Sequence, residues 1–416
     1  MSFPRYPKYK DSGVEWLGQV PEHWDVSRLG FESWVRARLG WKGLKAEEYV
    51  DDGFAFLSTP NIKGLGIDFE NVNFITQERF DESPEIKIRE GDVLLAKDGS
   101  TLGTVNVVRH LPRPTTVNSS IAVITPKKSL NGVFLYYLFA SSYMEQTIQR
   151  TKGGMGVPHL FQEDLNKFYL PVPSLADQTR IAAFLDRETA KIDELVVKQQ
   201  RLMELLDEQI KSLVLSSFQT PEIREIRLSE VSTIISRPVI QNADESYTRI
   251  GLFNRGRGLF HKNASEMDDM GESDFFWVQE GDLIISGQFA WEGAVALADK
   301  EDTGCVVSHR YPVIRGKAGI ALTEYLLGLF WTKHGDFLLN ENSRGAAGRN
   351  RPLNLSSLMK ENIPVPDMEV QEKVARAVHT RKALFKEIAK AIDLLQERRT
   401  ALISAAVTGQ IDVRQT

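Results

Sequence analysis

Hydrophobic positions along this chain follow two patterns, and each pattern occurs twice. From Ser174 to Ser217 there is no glycine or proline, and apolar residues fall at Ile181, Leu185, Ile192, Leu195, Leu202, Leu206 and Leu213. Asp367–Val407 repeats this with Val370, Val374, Ala377, Leu384, Ile388, Ala391, Leu395, Leu402 and Ala405. Steps of three and four sustained over several heptads predict a coiled-coil seam, and Gly409 stands where a helix stop is expected. At ~1.5 Å per residue the first segment would span about 65 Å, longer than a small domain is wide. Such helices need a partner along their length, and the nearest equivalent surface is each other. The alternative is two amphipathic helices, each packed on its own domain.

The second pattern is short strand-like runs broken by Gly, Asn and Asp: Val93–Ala96, Thr104–Val108 and Ser120–Thr125, then Leu283–Ser286, Ala294–Leu297 and Val306–Ser308. Tyr136–Ala140 and Tyr325–Trp331 read as helices that follow the strands. The two sets are copies. Glu90-Gly91-Asp92 returns as Glu280-Gly281-Asp282, an offset of 190; Leu170-Pro171-Val172-Pro173 returns as Ile363-Pro364-Val365-Pro366, an offset of 193, and Gln178 returns as Gln371. A period this long points to two homologous domains rather than a solenoid. The expected fold is α+β, with a twisted, partly barrel-like sheet in each copy. Two long antiparallel helices join the copies as a coiled-coil spacer, with an approximate two-fold between the ends of a dumbbell. The boundaries read as 1–173 for the first domain, 174–217 for its helix, 218–366 for the second domain and 367–416 for the second helix and tail.

Composition narrows the class. The chain has 416 residues, 42% hydrophobic and 26% charged, which suits two or three globular domains. No apolar run approaches the ~18 residues of a membrane span, and Met1–Lys10 has no signal-peptide character. With Cys305 the sole cysteine, a disulfide framework and a cysteine-based zinc cluster are excluded, and a reducing cytoplasm is the simplest compartment. Net charge is −5, with 51 Lys+Arg against 56 Asp+Glu, so any nucleic-acid binding must use local clusters or a basic partner.

Catalytic motifs are missing. There is no Walker A loop, and Gly64-Leu65-Gly66 and Gly256-Arg257-Gly258 are fragments of a dinucleotide-binding pattern, better read as turns. The Asp/Asn-Pro-Pro-aromatic motif of amino-methyltransferases is absent, and Asp81 with Glu85-Ile86-Lys87 matches a nuclease cluster only by chance. His159 and His309 lack metal-ligand spacing and read as structural or DNA-facing groups. What remains is basic and amide clusters beside glycine, which lets backbone approach a phosphate while Arg grips phosphate or guanine. These are Arg344, Arg349, Asn350 and Arg351, opposite Lys152 in the first copy; Asn254, Arg255 and Arg257, opposite Lys63; Arg36, Arg38 and Arg237; and Lys97-Asp98 with Gln288 after the Gly-Asp strands. Each cluster could equally be a solvated loop. A second apolar stripe, Val196, Val197, Met203, Leu205, Val214 and Leu215, flanks the first seam and suggests further helices docking there.

Three separated motifs carry a family resemblance. Tyr9–Gly18 with Val20-Pro21-Glu22-His23-Trp24 resembles the N-terminal signature of type I restriction–modification specificity subunits. Leu170–Pro173 with Gln178 and Ile181 resembles that family's central conserved region, and Arg398–Val413 its C-terminal one. Val370-Gln371 departs slightly from the usual Glu-Gln. The resemblance implies two target-recognition domains, each reading half of an asymmetric bipartite site in double-stranded DNA, with the helices as a fixed spacer. It implies two modification subunits that use S-adenosylmethionine, and restriction subunits that use ATP and Mg, with no cofactor and no catalysis on this chain. A stand-alone DNA-binding protein and a coiled-coil scaffold are the rival readings.

Overall fold

The computed structural model describes residues 3–38, 44–153, 158–240, 245–266, 273–345 and 351–415. The chain divides into two compact units, one of residues 1–197 with 392–416 and the other of residues 198–391. Among the described residues no helix is long and apolar enough to cross a membrane.

In the first unit, β1 (Tyr9–Asp11) and β2 (Gln19–Pro21) form an antiparallel hairpin, and β3 (Asp25–Arg28) leads to β4 (Ser33–Arg36). Then come β5 (Phe54–Leu57), β6 (Asn73–Ile75), β7 (Val93–Ala96), β8 (Val105–Val107), β9 (Thr115–Val117) and β10 (Ile121–Pro126). A four-stranded antiparallel sheet runs β4-β10-β7-β8, and a three-stranded one runs β6-β5-β9. The strands thus fall into separate small sheets rather than the one partly barrel-like sheet expected. Every residue of β7 is buried, which explains its unbroken apolar run: both of its faces are covered. Two helices follow, α1 (Gly132–Phe139) and α2 (Ser142–Thr151), capped by Asn131 and Ser141. A Cβ at Gly132 would collide with the backbone of Gly91, so α1 can start here only on a glycine. Finally β11 (Tyr169–Val172) pairs with β3 and delivers the chain to the 43-residue helix α3 (Leu175–Ser217).

The second unit repeats this plan. β12 (Arg224–Arg227) precedes β13 (Ser232–Ile235), β14 (Leu283–Ile285), β15 (Val295–Leu297) and β16 (Val313–Gly316), which form a sheet in the order β13-β16-β14-β15. Helices α4 (Thr323–Phe330) and α5 (Lys333–Glu341) follow. β17 (Asn362–Val365) pairs with β12 and opens the 40-residue helix α6 (Met368–Val407). Each unit holds the opening turns of one long helix and the closing turns of the other, the arrangement of antiparallel helices. An ion pair joins them in each: Arg399 Nε to Asp193 Oδ1 (2.9 Å) in the first unit, Arg381 Nε to Asp207 Oδ1 (2.7 Å) in the second. Arg381 is buried, between the rings of Trp331 (4.0 Å) and Phe385 (4.1 Å).

The repeated residues do architectural work. Gln178 is fully buried. Its amide donates to the carbonyls of Ser129 and Pro173 (both 2.9 Å) and accepts from the Asn131 amide (2.7 Å). Gln371 does the same with Ile320 (3.0 Å), Pro366 (2.9 Å) and the Leu322 amide (2.9 Å). Each glutamine therefore fastens the first turn of a long helix to the segment entering α1 or α4. The Gly-Asp turns have a parallel use. Asp92, buried in the sheet, accepts from Arg36 Nη2 (2.9 Å), Thr125 Oγ1 (2.6 Å) and the Arg89 amide (3.0 Å). Asp282 accepts from Arg237 Nη1 (2.7 Å), Arg315 Nε (2.5 Å) and the Gln279 amide (2.8 Å).

The helical seam differs from its heptad reading. Ile181, Leu185 and Ile192 are buried as expected, but Leu195 and Leu202 on α3 and Leu384 on α6 are exposed, while Ile210 and Val214 take up the buried stripe. A straight helix drifts ~20° per heptad from a 3.5-residue repeat. Here the body of each unit claims the face that suits it. Ile181, Phe184 and Leu185 join the first core beside Ile403, Ala406 and Val407, and Ile210 and Val214 join the second beside Val374 and Val378.

The N-terminal hairpin and the C-terminal tail close on each other within the first unit. Tyr9 Oη donates to the Gly409 carbonyl (3.0 Å), the Asp412 amide donates to the Pro4 carbonyl (2.7 Å), and Arg414 lies over the Tyr6 ring (4.9 Å). The hydrogen bond from Arg414 holds the Asp412 carboxyl below its ordinary range.

Asp282→Ala strands two guanidiniums and should cost about 3 kcal/mol in denaturant unfolding, against about 0.5 kcal/mol or less for a substitution at the exposed Glu280. The Asp412 contribution is complete above the ordinary carboxylate pKa, about 4, and is lost as pH falls through the depressed value. The melting-temperature gap between wild type and Asp412→Asn should therefore narrow between about pH 6 and about pH 3.

Candidate nucleic-acid interface

In both units the loop leaving the central strand is stitched to the glycine-rich segment. After β7, the Lys97 carbonyl accepts from the Leu160 amide (2.9 Å), Gly99 donates to Pro158 (2.9 Å), and Gly153 and His159 exchange backbone bonds (3.0 and 2.9 Å). After β14, the Gly287 carbonyl accepts from the Leu353 amide (2.8 Å), and Ser343 bridges to Leu353. Two stretches far apart in sequence thus meet at one edge of each sheet.

The sequence candidates divide between this edge and other duties. In the first unit Lys97 is 13% exposed, with its ammonium on Asp98 Oδ2 (3.1 Å), so it serves the loop more than the surface. Lys152 is exposed at the same edge. Lys63 is exposed on a separate turn, whose Ile62 and Gly64 carbonyls are held by Asn106 Nδ2 (3.2 and 3.3 Å). In the second unit the candidates gather around the loop after β14. Gln288 is exposed, and its carbonyl accepts from Trp291 Nε1 (3.2 Å). Arg351 lies over the Trp291 ring (5.1 Å) and donates to the Ser343 carbonyl (3.1 Å). Arg344 is exposed but paired with Glu341 (2.6 Å). Asn254 donates to the Glu292 carboxylate, while Arg255 and Gly256 donate backbone bonds to the carbonyls of Glu292 (2.8 Å) and Gly293 (2.9 Å). Arg255 holds φ +59°, unusual for a side chain of this size, and presents its guanidinium to solvent. Arg257 is exposed, over the Phe253 ring (5.2 Å). Arg349 and Asn350 lie outside the described residues.

Other candidates are tied into the fold. Arg36 and Arg237 are committed to the buried aspartates, and Arg36 also donates to the carbonyls of Glu85 (3.0 Å) and Lys87 (2.9 Å). Both guanidiniums hold the sheet together, and their side chains keep 25% and 23% of their surface. Arg38 is half-buried, and burial pushes its pKa down. On α3, Val214 is fully buried in the second core and cannot meet a partner, whereas Val197, Leu205 and Leu215 are exposed and Val196 and Met203 half-buried.

The structure also adds groups that the clusters did not include. His159 Nδ1 bonds Asp98 Oδ1, and its ring meets Phe161 edge-on (4.5 Å); Phe161 and, in the second unit, Phe289 are exposed beside these loops. The His159–Asp98 contact crosses 61 residues and has no local signal in the sequence. Among the described residues no group of three or more His, Cys, Asp or Glu could hold a metal ion.

Comparison with known proteins agrees with the repeated plan. The type I restriction modification DNA specificity domain matches twice, at residues 43–202 and 221–394. The type I restriction enzyme MjaVIII specificity subunit of Methanocaldococcus jannaschii is 23% identical over 204 residues, 48% of this chain and 47% of that one. In that match the chain spans about half the length of its relative. The StySPI specificity subunit of Salmonella potsdam is 17% identical across 95% of this chain and 90% of its own. A solved chain from work on complex assembly and conformational transition of the type I R-M system has the same fold. It gives a TM-score of 0.59 at 18% identity, with 93% of this chain and 98% of that one covered. With the domain matched in both halves, over most of its length, this chain belongs to the type I restriction–modification DNA specificity family.

Proposed function

We propose that this chain is the DNA-reading subunit of a type I restriction–modification complex, with each unit contacting one half of a bipartite duplex sequence through the loop pair at its sheet edge. The observation that carries this reading is where the two units differ. Their buried aspartates and glutamines are the same, while the loop ends diverge: Asp98 is replaced by Gln288, and His159 by Pro352. Two copies of one frame with dissimilar tips suit an asymmetric site, not a palindrome. Each interface is modest, but joining the readers makes the second contact effectively intramolecular. The long helices are proposed to set the gap, and the exposed Val197, Leu205 and Leu215 to meet helices of two methyltransferase subunits. Methylation with S-adenosylmethionine would then occur on those subunits, and ATP- and Mg-dependent restriction on a third kind, in the cytoplasm, with this chain binding no cofactor and catalysing nothing.

Selection from random duplexes by the full-length chain, alone and with a type I methyltransferase subunit, tests this directly. A two-part motif with a constant gap is expected, and enrichment of no sequence would reject DNA reading in favour of a scaffold. Inserting seven residues into both long helices should change the gap and leave both half-sites intact. Lys63→Ala and Lys152→Ala should each reduce the slope of log affinity against log salt by about 1, whereas Arg36→Ala should instead lower the melting temperature.

A further inference from the structure

We infer that the Asp98–His159 pair is a specificity determinant of the first unit, presenting a fixed hydrogen-bond acceptor to an amino group on a base edge. This rests on the DNA-reading function proposed above and names the chemistry that one of its two tips selects. Asp98 arrives from the loop after β7 and His159 from the far end of the glycine-rich segment, and backbone bonds on either side lock the two strands of chain together. A carboxylate oxygen at Nδ1 favours the tautomer with its proton there, and in a singly protonated ring that leaves Nε2 as an acceptor. The ring cannot turn away. Asp98 fixes one edge, Phe161 packs against it at 4.5 Å, and Lys97 holds the second Asp98 oxygen at 3.1 Å. The side chain nevertheless keeps 29% of its surface, and among the described residues nothing bonds to Nε2.

A preorganised acceptor discriminates by what it refuses. Adenine N6 and cytosine N4 are donors in the major groove, whereas guanine O6 and thymine O4 are acceptors that would face Nε2 lone pair to lone pair. The contacted position should therefore hold adenine or cytosine on one strand. In the second unit the equivalent residues are Gln288 and Pro352, so this device is absent there, and Gln288 can both donate and accept.

The test is selection from a random duplex library with the full-length chain, under the conditions that give wild type its motif. His159→Ala should lose the adenine-or-cytosine preference at one position of one half-site and weaken binding to the original duplex by about tenfold. The other half-site and the gap should not change. Asp98→Asn, whose amide can donate to Nδ1 as readily as accept from it, should relax the same position. An unchanged motif in both variants, or equal weakening on all duplexes, would overturn the assignment while leaving DNA reading intact. A wild-type chain that enriches nothing would instead remove the reading on which it rests. If His159→Ala disturbs folding, shown by loss of the first half-site as a whole, the Asp98→Asn profile decides.

Discussion

A buried carboxamide governs how each body meets its long helix. Gln178 and Gln371 lie where no water can reach, so every donor and acceptor they carry must be satisfied by protein, and removing one partner would cost the full desolvation of the rest. All three bonds of each glutamine go to backbone, at the segment entering the first helix of the body and at the Pro-x-Pro that precedes the long helix. The angle between body and helix is thereby set by main-chain geometry. Side-chain packing then fills in around a direction already fixed.

Ion pairs reinforce the same junction with opposite polarity in the two units. In the first, Arg109 on the body takes Asp186 on α3 in a two-pronged contact (3.0 and 2.6 Å), and Tyr137 donates to the same carboxylate (2.7 Å). In the second, the acids are on the body: Asp299 receives Lys382 (2.6 Å) and Glu301 receives Lys386 (2.9 Å) on α6. Exposed pairs of this sort contribute little to stability individually. Their value is selective, because the body of one unit placed on the helix of the other would bring like charges together.

The repeat was legible in the sequence because architecture repeats: the Gly-Asp turns, the Pro-x-Pro strands and the glutamines recur at nearly constant offset. For the same reason those residues are poor guides to recognition. Arg36 and Arg237 looked free because an arginine near the start of a domain gives no hint of a buried aspartate more than 40 residues later. Val214 looked like surplus apolar surface because a strict 3.5-residue repeat ignores the drift of a straight helix and the pull of each core. The Asp98–His159 pair depends on two loops meeting, a contact that only the folded sheet edge creates. The acidic balance of the chain also becomes intelligible, since Asp98, Glu292 and Glu341 sit among the candidate basic groups and orient or neutralise them.

The clasp between Tyr9, Pro4 and the last turn of the tail has a consequence for biosynthesis. The second unit is one continuous stretch of chain, residues 198–391, but the first combines residues 1–197 with 392–416. Emerging from the ribosome, the N-terminal hairpin must wait for Ile403, Ala406 and Val407, which complete the core beneath it. A chain cut after residue 391 would hold every residue of the second unit and lack part of the first core.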